Sequence, residues 1–281
     1  MRRLLPVLGL LALVAGCAGE TSPEPFPMRV AQWTATPSRT PPDAGFHLLA
    51  PDDERDAADS GSTLYTAPAA KASCDVRSPA GGWTSMKRYM ESVSDCLDVI
   101  WATEFEKVGM DFLPPLRRFV KRHEKDSVCG RMPADGAAGT YCGGTATYYV
   151  LLLPEDREAV AAAWVAEVVA HEYGHRIQHL AGLMRRADEM TGQAGTRQEK
   201  DLVSRRLELQ AECFSGVALH AMRKVMPPWS RFQDAFAGVS PPRWVRDHGR
   251  LATRLRWLTK GFRSGRPGSC DTWSARPRDV T

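Results

Sequence analysis

The chain has 281 residues and a formal net charge of +4 at pH 7, with acidic and basic side chains interspersed along it. That balance is too mild to imply a nucleic-acid partner, and the length suffices for one well-cored domain without requiring a second. Arg263, Arg266, Arg276 and Arg278 near the C-terminus are read as solvated side chains.

The opening Met1-Arg2-Arg3, the apolar run Leu4 to Ala15 and the small-residue stretch ending at Cys17 have the form of a bacterial lipoprotein signal, residues 1–17, with Cys17 as the acylated residue. The apolar run is too short to span a bilayer. The expected location is therefore the extracytoplasmic face of the cell membrane, reached by export and held by lipid. Residues 18–72 are rich in Pro, Ser, Thr and Asp and lack helix or strand periodicity, so they are expected to form a disordered tether. A flexible chain of that length has an r.m.s. span of about 40 Å. One folded domain is expected over 73–275, with 276–281 as a tail.

Cysteine usage agrees with an oxidising compartment. With Cys17 set aside, Cys74, Cys96, Cys129, Cys142, Cys213 and Cys270 remain, an even set, and adjacency pairs Cys74 with Cys96, Cys129 with Cys142 and Cys213 with Cys270. No Cys-x-x-Cys pair offers a structural zinc site. Val93 to Val108 and Leu116 to His123 read as helices separated by Pro114-Pro115, and Thr145 to Leu153 has the β-branched and aromatic content of a strand. A strand lying at a sheet edge would suit binding of an extended peptide. The predicted fold class is α+β, with a small sheet beside a long, largely apolar helix.

That helix is predicted from an acidic start at Pro154-Glu155-Asp156 to a stop at Gly182, and it contains His171-Glu172-Tyr173-Gly174-His175. Histidines at i and i+4 share one helical face, so both imidazoles can reach one ion, while the intervening Glu172 is placed to take a proton from water. His179 extends the stripe but lies about 12 Å along the axis from His171, too far to share the ion, and is read as supporting or structural. A third ligand is expected in a second helix that opens at the capping box Thr196-Arg197-Gln198-Glu199 and ends at Pro227-Pro228, after a loop through Gly192 and Gly195. Glu208 would lie about three turns in, opposite the first helix. Glu212, one turn further, is placed to accept a hydrogen bond from a ligating histidine. The longer ligand motif ending in a third histidine is absent, because Gln178 and Ala181 stand at its Gly and His positions.

Ala170 to Gln178, Leu207 to Gly216, Trp257 to Phe262 and Ser269 to Thr272 together resemble the bacterial neutral zinc metallopeptidase family over roughly Cys96 to Trp273. The resemblance implies a zincin-like fold, a Zn²⁺ cofactor and peptide-bond hydrolysis. It departs at Glu212, where the family usually has Asp, which moves that carboxylate by about one methylene. Because the resemblance continues around Asp247-His248-Gly249, His248 is the expected donor to a developing oxyanion, with His220, Tyr148 and Tyr149 as alternatives.

The sequence thus predicts a membrane-tethered zinc metallopeptidase acting on protein or peptide substrates: Zn²⁺ on His171, His175 and Glu208, and Glu172 as general base. Peptide crosslinks of the cell wall are a narrower substrate alternative. A different class remains open, a zinc-containing or protein-binding lipoprotein whose peptidase site is degenerate. Oligomeric state is not legible.

Overall fold

The computed structural model describes residues 62–238 and 240–281. The signal segment with Cys17, and the tether up to residue 61, lie outside the described residues. The packed chain begins earlier than the expected boundary at 73. Leu64, Ala67 and Ala70 are buried, and the Ala70 N–H donates to the Gly265 carbonyl at 2.7 Å. Three apolar residues spaced among Pro, Ser and Thr are too sparse a pattern to register as structure in sequence. The tail is docked as well: Val280 is buried and its carbonyl accepts from Arg205 Nε at 3.0 Å.

Helix α1, Trp83–Lys107, begins well before the predicted Val93 and buries Met86, Met90, Val93, Leu97, Ile100 and Phe105 at helical spacing. Strands β1 (Leu116–Val120), β2 (Glu124–Asp126), β3 (Gly130–Met132), β4 (Gly139–Cys142) and β5 (Thr147–Leu151) follow. They form a three-stranded sheet in the order β1-β5-β4 and a two-stranded hairpin of β2 and β3. The helix expected over Leu116 to His123 is thus a strand. Pro114-Pro115 deliver the chain extended, and parallel pairing of Leu116–Val120 with Thr147–Leu151 uses its backbone groups better than a helix of so few residues would. β5, expected from Thr145, is central, so the edges of the sheet are β1 and β4.

Next comes α2, Ala162–Leu180. Its predicted acidic start belongs instead to a separate 3-10 turn, Glu155–Arg157, where the Asp156 carboxylate accepts from the Leu153 N–H at 2.9 Å. Gly182, at φ 71°, ends the helix region as its lack of a Cβ permits. Where a loop was expected, α3 (Leu183–Gln193) intervenes, burying only Leu183, Met184 and Ala187. Such a thin apolar stripe is easily read as loop. Helix α4, Arg197–Met222, opens with the capping box between Thr196 and Glu199 and ends before Pro227. α5 (Trp229–Asp234), α6 (Pro242–His248) and α7 (Leu251–Ser264) complete the mixed α+β domain. No helix among the described residues is long and apolar enough to cross a membrane.

The bridges Cys74–Cys96, Cys129–Cys142 and Cys213–Cys270 form, with Cα separations of 5.7, 5.9 and 5.3 Å. They pin the N-terminal arm to α1, the hairpin to β4, and the C-terminal turn to α4. Closing the longest loop, between partners 57 residues apart, removes unfolded-chain entropy equivalent to about 4 kcal/mol.

Helices α4 and α7 touch backbone to backbone. A Cβ on Gly261 would fall 2.0 Å from the Cys213 carbonyl oxygen, and one on Gly216 2.1 Å from that of Leu258. Gly261→Ala should therefore force the helices apart and destabilise the fold by about 1–3 kcal/mol or more in denaturant unfolding. Gly192→Ala, in α3 with nothing within 4 Å, should raise stability by about 0.5–1 kcal/mol. Equal effects at the two positions would contradict this packing.

Candidate metal centre

Helices α2 and α4 run antiparallel in contact: Glu167 reaches Glu212, Gly174 lies on Ala211, and Gln178 donates to the Leu207 carbonyl. Gly174 permits the approach, since a Cβ there would lie 3.0 Å from the Ala211 carbonyl oxygen. The facing stripes bring His171, His175 and Glu208 together, with one potential ligand atom from each within 4.8 Å of the others. His171 Nε2 is 3.3 Å and His175 Nε2 3.7 Å from the same Glu208 oxygen, Oε2. Both imidazoles and this carboxylate are at most 3% exposed.

The hydrogen-bond inventory of the pocket is incomplete in a way a cation would complete. His171 Nε2, Glu208 Oε2 and both oxygens of Glu172 are buried without a hydrogen-bond partner. Buried polar atoms seldom go unsatisfied, and two imidazole nitrogens with a carboxylate oxygen are the donor set of a catalytic zinc site that keeps a position open. The residues present fit that ion.

Glu172 lies against the sheet edge. A Cβ on Gly139 would be 2.6 Å from Glu172 Oε1, so only glycine lets β4 pass this close to the carboxyl group. Burial pushes the Glu172 carboxyl up to about 8, against the pull of His171. An adjacent divalent cation favours the carboxylate. Burial lowers His175 to about 4 and so favours its neutral, ligating form. Burial alone would raise Glu208, yet His248, His175 and His171 hold it down at about 2.

Behind His171 stands a charged group that sequence reading only half anticipated. Glu212 Oε1 is 3.7 Å from His171 Nδ1 and 2.5 Å from Arg254 Nε on α7. Glu167, on α2 one turn before His171, lies beside them, and burial and the neighbouring Glu212 push its carboxyl well above the usual range. Its signal is a lone acid four residues before His171 in the otherwise apolar stretch Ala159 to Ala170. Arg254 carries no local signature, because only the tertiary crossing of α7 brings it in. Burial would also raise Glu212, but Arg254 and His171 keep it ionised. Glu167, His171 and Glu212 also satisfy the spacing of a metal cluster, but the Arg254 guanidinium already supplies the cation there. The grouping of Asp126 with Cys129 and Cys142 is likewise set aside, since those sulfurs form a disulfide.

His248 comes in from the end of α6, its Nε2 3.5 Å from Glu208 Oε2 and its Nδ1 2.9 Å from Asp247. Trp244 packs on its ring at 4.7 Å and also touches Ala137 in the segment before β4. The structure therefore brings His248 to the same carboxylate as both α2 histidines. His179 is not brought there: its Nδ1 bonds the Tyr141 hydroxyl at 2.8 Å on β4. Of the alternative donors, His220 bonds the Phe262 carbonyl, Tyr148 bonds Ser94, and Tyr149 bonds Asp126. A groove of about 800 Å³ lies elsewhere, lined by Arg117, Lys125, Asp126 and Tyr149 among others, and holds none of the converging residues. Donor geometry, rather than cavity size, marks the site.

Two buried histidines one turn apart on one helix, a carboxylate returned by a second helix and a glutamate beside a sheet edge make the arrangement of a candidate catalytic metal centre. The profile of the family described as "Putative neutral zinc metallopeptidase" matches residues 58–273, and the chain belongs to that family. Among similar proteins, uncharacterized protein YpfJ of Escherichia coli (strain K12) is 29% identical over 194 residues, 62% of this chain and 66% of the relative. Uncharacterized protein Rv2575 of Mycobacterium tuberculosis is 35% identical over 136 residues, 38% of this chain and 43% of the relative. The chain thus spans less than two thirds of the length of these curated relatives. No solved structure matches it.

Proposed function

We propose that the protein is a zinc-dependent peptidase that hydrolyses peptide bonds at the junction of α2, α4 and β4. The observation that carries the reading is the convergence of His171, His175 and Glu208 on a buried point whose polar atoms lack partners, with the Glu172 carboxyl beside it. His171 Nε2, His175 Nε2 and Glu208 would hold the ion. A zinc ion there supplies Lewis acidity, polarising a carbonyl and making water easier to deprotonate. Glu172 takes the proton from the attacking water and returns it to the leaving amine. β4 is an edge strand of the sheet, buried along its length, with Gly139 against Glu172, and it is the strand to which an extended chain would add in this reading. His248, close to Glu208, is the donor best positioned to meet negative charge developing on the substrate. Glu212, ion-paired to Arg254, steadies the His171 ring.

One observation favours a second reading, zinc holding without turnover: His171, Glu172, His175, Glu208 and His248 are all 3% exposed or less. The decisive substitution is Glu172→Gln, which keeps the shape but cannot shuttle a proton. Bound zinc and the thermal transition should persist while hydrolysis of a peptide library falls by about 10²- to 10⁴-fold or more. Undiminished turnover by Glu172→Gln would reject the mechanism, and a zinc-loaded wild type inert toward the library would favour the second reading.

We further propose that the domain works at the outer face of a membrane, anchored through Cys17, on the strength of the signal-like segment that ends there. Cys17→Ser should move the protein from the membrane to the soluble fraction; unchanged fractionation would count against a lipid anchor.

A further inference from the structure

The two α2 histidines are backed by different chemistry. Nδ1 of His171 faces the carboxylate of Glu212 at 3.7 Å, whereas Nδ1 of His175 is hydrogen-bonded to a neutral amide oxygen, Gln178 Oε1, at 2.8 Å. Gln178 in turn donates through Nε2 to the Leu207 carbonyl at 2.6 Å and to Gln210 Oε1 at 3.1 Å. Gln210 donates through its own Nε2 to the Tyr65 hydroxyl at 2.5 Å and the Cys270 carbonyl at 3.2 Å, and its Oε1 also receives the Trp273 indole N–H at 3.4 Å. Gln178 and Gln210 are completely buried. None of the roles expected from sequence used either glutamine.

An amide can be turned end for end, and an imidazole can carry its proton on either nitrogen. Here neither choice is free. A main-chain carbonyl only accepts, so the Gln178 group facing Leu207 must be its NH₂, which turns its oxygen toward His175. The Cys270 carbonyl likewise demands the NH₂ of Gln210, and the Trp273 indole, which only donates, demands its oxygen. Both amides are therefore locked by groups that cannot reverse roles, at two places along the relay. The ring nitrogen of His175 facing Gln178 Oε1 must then be a donor, Nδ1–H, and its lone pair is left on Nε2, the atom that faces Glu208.

We propose that Gln178 and Gln210 are positioning residues that fix the tautomer and ring orientation of His175, anchored at their far end by Tyr65 on the N-terminal arm and by the turn that the Cys213–Cys270 bridge pins to α4. The consequence for metal binding rests on the zinc reading above; the tautomer does not. A neutral relay also suits this pocket. Glu167, Glu172, Glu208 and Glu212 are already buried around the histidines, and a further carboxylate behind His175 would add an uncompensated charge.

The test uses the folded wild-type protein with Gln178→Leu, Gln210→Leu and the double variant, in metal-free and zinc-loaded forms. Chelator competition should show zinc affinity falling about 10- to 100-fold in Gln178→Leu and by a smaller factor in Gln210→Leu. The double variant should be no weaker than Gln178→Leu, since Gln210 acts only through Gln178. Losses that multiply in the double variant would mean separate packing effects and would overturn the relay. Ring-nitrogen NMR of metal-free wild type should place the His175 proton on Nδ1, protected from exchange, with that protection lost in Gln178→Leu. A proton on Nε2 in the wild type overturns the proposal without any variant, even if Gln178→Leu does not fold. If the wild type takes up no zinc, the zinc reading fails by itself, and the metal-free spectrum still decides the relay.

Discussion

Four carboxyl groups, on Glu167, Glu172, Glu208 and Glu212, are buried between α2 and α4, none more than 2% exposed. Removing a carboxylate from water costs several kcal/mol unless a cation or hydrogen-bond donors compensate. The domain meets this demand in two places. On one side Arg254 pairs with Glu212, and burial beside Glu212 pushes the Glu167 carboxyl well above the usual range. On the other, Glu208 and Glu172 face imidazole nitrogens and unsatisfied oxygens, where a divalent cation is the natural complement. The helix pair would be an expensive way to build a core and is well suited to holding a metal.

Much of the surrounding scaffold serves that junction. Gly174 lets α2 approach α4, Gly216 and Gly261 let α7 come close enough to deliver Arg254, and Gly139 lets the sheet edge pass Glu172. Cys213, one residue after Glu212, bridges to Cys270, so the turn behind the second helix moves with the carboxylates. The same turn holds Gln210 and, through Gln178, the ring of His175. Rigidity is thus concentrated behind the ligands. Trp244 on α6 packs on the His248 ring and on Ala137.

Which of these features a reader of the sequence can recover depends on how local their causes are. The histidine pair on α2 and the capping box of α4 are written in residues three or four apart, and both stand on the helices expected to carry them, although α2 starts at Ala162 and not at Pro154. The cysteine pairing follows adjacency and is also recovered. Glu208 reaches the histidines because helix lengths are nearly set by Gly182 and Pro227, even though α3 replaces the loop expected between them. β1 differs from the helix expected there because its pairing with β5 is a tertiary choice that its five residues do not announce. Arg254 and the two glutamines escaped for a related reason. Arginine on a helix and glutamine in a helical stretch are ordinary until packing removes water from them, and only then does their hydrogen bonding become obligatory.

The proposed chemistry depends on zinc held by two imidazoles and a carboxylate. Zinc-edge X-ray absorption of the metal-loaded protein addresses this coordination directly. It should show a light-atom shell at about 2.0–2.2 Å, outer-shell scattering from two imidazole rings and no sulfur. A sulfur shell at about 2.3 Å, or a shell of oxygens without imidazole scattering, would contradict it.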